Sequence, residues 1–279
     1  MFVSPLILKC VCFVCIYADG DYRPVGTAFF LGVTPEGYGP SDQWCAVVTA
    51  LHVIAGIEKS GGQIFLRVNT KSGGVDYVEM PPERWVRPDH SGGIVDAAAC
   101  FFSTESQEKT DFKFIGEKQA ITAEGLRDLH VGVGNDVYLS GLFVNHAGTQ
   151  RNEPIIRSGT FAAIPEEEVL TNHGRMRAYL IESRSIGGLS GSPVFVEPGL
   201  TYFTDDGQIH MRPPLTRAWH LLGIIQGHWD VPELFGPDTS LSAEAVNKGI
   251  AIVTPIDYAL RLAHEAVLQA FAAWDAEHG

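Results

Sequence analysis

No stretch of the sequence reaches the roughly 18 uncharged apolar residues that a membrane-spanning helix needs, so a membrane is not expected as a partner. Paired cysteines are missing as well. The chain has five Cys, an odd number, and three crowd together as Cys10, Cys12 and Cys15, too close to staple distant loops as a secreted framework would. Reduced thiols in a cytoplasmic protein are the expectation. The first 17 residues are apolar, but no Lys or Arg precedes them, Lys9 interrupts them and no A-x-A site follows, which argues against a secretion signal. Positive charge is scarce: 20 Lys and Arg face 33 Asp and Glu, a formal net charge of −13 that repels a phosphate backbone. Nucleic acid is thereby excluded as the expected partner. The motifs H-E-x-x-H, G-x-G-x-x-G and G-x-x-x-x-G-K-[ST] are absent, and the three neighbouring cysteines lack a fourth ligand at a recognisable spacing. Neither a metal nor an organic cofactor is expected.

What is present is a chain of 279 residues, 45% hydrophobic and 19% charged, with 30 Gly and 16 Pro, the composition of a turn-rich globular protein. Short apolar runs broken by Gly, Pro, Asn and Asp recur along it, the signature of an all-β sandwich or barrel. The runs Cys10 to Tyr17 and Val25 to Val33 flank the turn Ala18-Asp19-Gly20-Asp21, and the alternating segment around Ile64, Leu66 and Val68 leads into Ser72-Gly73-Gly74. Both read as hairpins. With Trp44 to Thr49, Val75 to Met80 and Ala97 to Phe102, the first half carries about six strands, enough to close a small barrel. Residues 103–130 turn polar and charged. The second half again has about six runs: Asp136 to Phe143, Ile155 to Ile164, Arg177 to Arg184, Ser192 to Val196, Ala218 to Gln226 and Gly249 to Val253. At the end the period changes. Ile256, Leu260, Ala263, Val267, Phe271 and Trp274 recur at helical spacing, with Thr254 and Pro255 as N-cap and first position and Asp257 placed to reach back. This helix is expected to pack on the second half. The organisation expected is residues 1–115 as an amino-terminal barrel, 116–130 as a connector, 131–254 as a second barrel and 255–279 as the helix.

Three segments set a reactive side chain beside small or apolar residues. In Gly187-Gly188-Leu189-Ser190-Gly191-Ser192-Pro193, glycines on both sides of Ser190 permit a tight turn whose amides, those of Gly188 and Ser190, can hold a developing oxyanion. An ordinary Gly/Ser turn is the plain alternative. In Val47-Val48-Thr49-Ala50-Leu51-His52-Val53, an apolar strand delivers one imidazole at its end, suited to general-base work near neutral pH, though a satisfied core or surface His has the same appearance. In Ile94-Val95-Asp96-Ala97-Ala98-Ala99, a lone carboxylate lies in an apolar run, where burial demands a partner such as an imidazolium; a strand-start cap is the alternative. His52 and Asp96 fall in the first half and Ser190 in the second, so a cleft between two barrels would hold all three.

The segments GTAFFLGV (26–33), VVTALHV (47–53), VDAAA (95–99), GGLSGSPVF (187–195), LGIIQG (222–227) and GIAIVTPI (249–256) resemble, in order, the landmarks of trypsin-like serine peptidases of the chymotrypsin fold. The likeness is closest to compact bacterial members with G-x-S-G-S-P in place of G-D-S-G-G-P. It implies two six-stranded antiparallel β-barrels packed face to face with a C-terminal α-helix. It also implies a serine endopeptidase acting on protein or peptide substrates, with Ser190 as nucleophile, His52 as general base and then acid, and Asp96 orienting the imidazole. Leu189 stands where digestive members carry the Asp that pairs with a newly cut N-terminus, so activation by that ion pair is excluded. The family disulfides beside the His and the Ser are missing. Arg184 lies near the family's first specificity pocket and would attract an acidic side chain. Gln226 and Gly227 match the strand edge along which the family's substrates add their backbone. A catalytically silent peptide-binding or scaffold protein of the same fold is the alternative, and an esterase using the same triad is a third reading. With no appended recognition domain in the sequence, a regulatory partner protein is expected to control activity.

Overall fold

A computed structural model describes residues 4–278 except 40, 90–92, 145, 184–187, 205, 214–217 and 229–248. The first half begins with a short helix, α1 (Pro5–Lys9), followed by β1 (Val11–Ala18), β2 (Asp21–Val33) and β3 (Trp44–Thr49). Helix α2 (Leu51–Lys59) comes next, then β4 (Gln63–Asn69), β5 (Val75–Glu79) and β6 (Ala98–Phe101). The polar stretch contains α3 (Thr104–Lys109), the two-residue strand β7 (Ile115–Gly116) and α4 (Ala123–Asp128). The second half has β8 (Asp136–Gly141), β9 (Ile155–Ala163), β10 (Val169–Thr171), β11 (Gly174–Met176) and β12 (Tyr179–Glu182). It continues through β13 (Pro193–Glu197), β14 (Thr201–Phe203), β15 (Ile209–Met211), β16 (His220–His228) and β17 (Ile250–Pro255), and α5 (Ile256–His278) ends the chain.

The expected all-β architecture is present. The first sheet runs β5-β4-β1-β2-β3-β6, with β7 added in parallel to β2. The second closes on itself as a six-stranded barrel, β12-β17-β16-β13-β8-β9. Turns where they were expected join the hairpin β1–β2, whose Asp19 and Gly20 both take positive φ. Inward side chains of the first sheet, among them Phe30, Val47 and Leu66, make one core with Phe102 just past β6, and Leu139, Phe161, Val194 and Ile225 fill the closed barrel. A third cluster lies between: Phe29 and Val48 from the first half, Phe195 and Ile224 from the second, and Ile256 and Ala263 from α5. Strands that feed apolar residues to both faces explain why so many runs read as continuously hydrophobic.

All five cysteines are buried free thiols, and burial raises the pKa of each. They act as small core side chains. No helix among the described residues is long and apolar enough to cross a membrane.

Several local expectations need correction. Helix α5 packs mainly on β3 and β6 of the first sheet rather than on the second half, because Trp44 and Phe101 there offer an aromatic seat to Phe271, with ring centroids 4.7 and 6.4 Å away. Trp274, counted in its apolar stripe, is exposed. The strand before it runs through Pro255, so Thr254 does not cap α5; its hydroxyl instead donates to the Asp96 carbonyl at 3.4 Å. Asp257 keeps one carboxylate oxygen buried without a partner among the described residues. The strand expected from Arg177 is shorter, Tyr179–Glu182, and Arg184 lies outside the described residues.

Buried Arg67 on β4 clamps the second half. Its guanidinium donates to Asn152 Oδ1 (2.6 Å) and to the carbonyls of Ala147, Gly148 and Thr149 at 2.7 to 3.2 Å, while Asn152 Nδ2 donates back to the Arg67 carbonyl at 2.6 Å. A buried guanidinium is tolerable only when its donors are satisfied in this way.

Candidate active site

Strand β3 ends at Thr49, and Ala50, extended, hands the chain to α2, so His52 occupies the first turn of a helix. The sequence reading missed that helix. Its signal was the spacing of Val53, Ile54 and Ile57, all buried. Ala50 makes no side-chain cap. The carboxylate of Asp96 takes over: Oδ1 accepts from the His52 backbone N–H at 2.9 Å, and Oδ2 lies 2.7 Å from His52 Nδ1. One carboxylate thus caps the helix and orients the ring, with Asp96 only 3% exposed. His52 remains partly open on its other side.

The Ser190 loop reaches this point from the second barrel. Gly191 is why it can come so close: it takes φ +86°, and a Cβ there would lie 2.0 Å from the Thr27 carbonyl oxygen and 3.2 Å from the Ala50 nitrogen. Gly26 clears the way on the other side, its virtual Cβ falling 2.8 Å from Val53 and 3.3 Å from the Ser190 carbonyl. Thr27 wires the two halves together. Its N–H donates to the Ser190 carbonyl (2.9 Å), its hydroxyl donates to the Gly188 carbonyl (2.8 Å) and accepts from the Leu142 N–H (2.9 Å), and its carbonyl accepts from the Thr49 hydroxyl (2.7 Å). The amides of Gly188 and Ser190 have no acceptor among the described residues, whereas those of Gly191 and Ser192 are used, by Ile225 and Leu189.

The structure therefore joins His52 to Asp96 and sets the Ser190 loop against the strand that carries them. It does not join Ser190 to His52: the Ser190 hydroxyl donates to the Gln226 carbonyl at 3.0 Å. Gln226 and Gly227 sit on β16 past the point where β13 pairs with it; β13 covers β16 only from His220 to Ile224. The side-chain amide of Gln226 and the hydroxyl of Ser192 are buried with no partner among the described residues. One residue unforeseen in the sequence also belongs here. His173, at the tip of the β10–β11 hairpin, stacks on His52 with ring centroids 5.1 Å apart and planes 20° from parallel.

The fold can be compared with solved structures. The MamO protease domain from Magnetospirillum magneticum, in its apo form, superposes with a TM-score of 0.54 at 14% identity, over 92% of this chain and 97% of that one. The fold is that of trypsin-like protease domains. Deg5 is similar to the same extent, with a TM-score of 0.52, 14% identity, and 92% and 88% of the two chains covered. No protein-family model matches the sequence. No curated protein matches it significantly.

Proposed function

We propose that the protein is a serine endopeptidase that hydrolyses peptide bonds through an acyl-enzyme. The observation that carries this reading is the pairing of His52 with buried Asp96 beside a glycine-flanked serine on a trypsin-like fold.

The chemistry follows from the groups in place. Substrate binding turns the Ser190 hydroxyl from the Gln226 carbonyl toward His52. His52 takes its proton at Nε2 while Nδ1–H stays on Asp96, which stabilises the imidazolium; the oxygen attacks the scissile carbonyl. The free amides of Gly188 and Ser190 receive the developing oxyanion. His52 returns the proton to the leaving amine, and water repeats the sequence to release the acid. The substrate backbone adds to β16 at Gln226 and Gly227. Arg184 as an acidic-residue selector, and control by a partner protein, belong to the same proposal. The buried free thiols support a cytoplasmic setting.

A second reading has its own observation. The Ser190 hydroxyl is engaged by Gln226 and one face of the His52 ring is stacked on by His173, which favours a catalytically silent peptide-binding protein. Labelling with a fluorophosphonate decides between them. A peptidase is labelled, and Ser190→Ala and His52→Ala both lose the label; an unlabelled wild type, or a variant that keeps the label, overturns the triad.

A further inference from the structure

We infer that His173 completes a divalent-metal site with His52 and Asp96, and that zinc bound there reversibly switches off the proposed active site. This inference rests on the peptidase reading only for its effect on activity. The metal site itself stands on the placement of three side chains.

Each of the three residues offers a ligand atom, one carboxylate oxygen and two imidazole nitrogens, and these atoms all lie within 4.8 Å of one another. Two neutral imidazoles and a carboxylate suit zinc, which takes three protein ligands and leaves its fourth position to water. Tetrahedral zinc with ligands at about 2.0 to 2.1 Å sets them about 3.3 Å apart. The widest separation must therefore contract by at most about 1.5 Å, and the hydrogen-bonded pair His52 Nδ1 and Asp96 Oδ2, now 2.7 Å apart, must open by about 0.6 Å where the ion takes both atoms.

The fold says which residue moves furthest. Asp96 is buried, and His52 is fixed on α2 by its backbone bond to that carboxylate. His173 is exposed on a two-residue hairpin turn, so its ring can leave the stack and point a lone pair inward. Stacked, nearly parallel rings cannot both aim at one ion, so this rotation is the necessary step. The hairpin itself is held. The Thr171 hydroxyl accepts from the His173 N–H at 3.1 Å and donates to the Gly174 carbonyl at 2.9 Å, and Gly174 is packed so closely on Ile94 that a Cβ would lie 2.4 Å from Ile94 Cδ1. Ile94 is two residues before Asp96, so the hairpin that carries one ligand rests on the segment that carries another. A net charge of −13 favours cation capture.

Binding is a ligand exchange with no redox change. The metal takes the lone pair of one ring nitrogen of neutral His52, the ring's single proton resides on the other nitrogen, and coordinated water leaves the ion as nitrogen and oxygen replace it. A metal-bound His52 has no base left to accept the Ser190 proton.

The test uses the full chain stripped with chelator and titrated with zinc chloride by calorimetry. Wild type binds one zinc ion at micromolar or lower dissociation constant; His173→Ala and His52→Ala each weaken this at least tenfold, and His146→Ala, altering an exposed imidazole paired with Glu153, leaves it unchanged. Cobalt in place of zinc gives the visible bands of a four-coordinate site in wild type and not in His173→Ala. In parallel, zinc slows fluorophosphonate labelling of wild type, chelator restores it, and His173→Ala labels at the same rate with or without zinc. Equal zinc affinity in wild type and His173→Ala overturns the metal site. Labelling that zinc slows equally in both overturns the switch. An unlabelled wild type counts against the peptidase reading, while calorimetry still decides the metal site.

Discussion

Gly191 touches Thr27 so closely that any side chain at 191 would have to occupy the space of the Thr27 carbonyl oxygen, 2.0 Å from where its Cβ would sit. The contact lies between the serine loop of one half and the second strand of the other. It makes glycine obligatory on two grounds, the positive φ and the missing space.

Gly191→Ala is therefore expected to destabilise the fold by about 3 kcal/mol or more and to abolish fluorophosphonate labelling at temperatures where the protein stays folded. Denaturant unfolding and labelling check the two effects.

Thr27→Val removes a hydroxyl that serves the Gly188 carbonyl and the Leu142 amide while keeping its shape. The expected cost is about 2 kcal/mol, because two buried backbone groups are left without a partner. Labelling at Ser190 should slow by more than that loss of folded population accounts for, since the Gly188–Ser190 loop loses its anchor. Unchanged labelling kinetics would contradict this role for Thr27.

Asp96→Asn separates capping from ring orientation. An amide oxygen can still accept from the His52 N–H, so stability should change by less than about 1 kcal/mol. Turnover on a peptide should fall by about 10⁴-fold, because the carboxylate no longer holds the imidazole in its productive tautomer, as in the template for this chemistry. Peptide hydrolysis by the purified variant is the measurement.

Arg67→Met should cost about 3 to 5 kcal/mol, since it leaves the carbonyls of Gly148 and Thr149 and the Oδ1 of Asn152 without their guanidinium donor in a buried seam. Adding Asn152→Leu should recover part of the loss, and a double-mutant cycle in urea measures the coupling.

His220 provides a pH dependence. Burial, and then the charge of Arg212, hold its pKa below the ordinary value of 6.5. The unfolded chain takes up a proton at His220 near that ordinary value while the folded chain resists it. Stability contributed by keeping this ring neutral is thus present above pH 6.5 and is lost as the pH falls through the window below it. Unfolding at pH 7.5 and at pH 5.5 should show this decline, and His220→Phe should reduce it.

Much of the scaffold was legible because its signals are local. The turn Asp19-Gly20, the apolar runs on either side and the glycines around Ser190 announce themselves within a few residues. Asp96 was legible for a similar reason: a lone carboxylate in an apolar run must find a partner. Other roles depend on partners far along the chain. Thr27 is an unremarkable strand threonine until the fold places it against Gly188, 161 residues away, and Arg67 meets Asn152 across 85 residues. His173 had no apolar frame around it to mark it. The seat of α5 was misjudged because periodicity tells which face is buried but not which sheet receives it.

The wiring through Thr27 carries a consequence for dissection of the molecule. A fragment ending near residue 130 would hold His52 and Asp96, and the complementary fragment would hold Ser190, yet the latter would lack the threonine that anchors its serine turn. Mixed in solution, the two pieces should recover reactivity toward fluorophosphonate only at concentrations where they associate, so that chemistry itself becomes a readout of complementation.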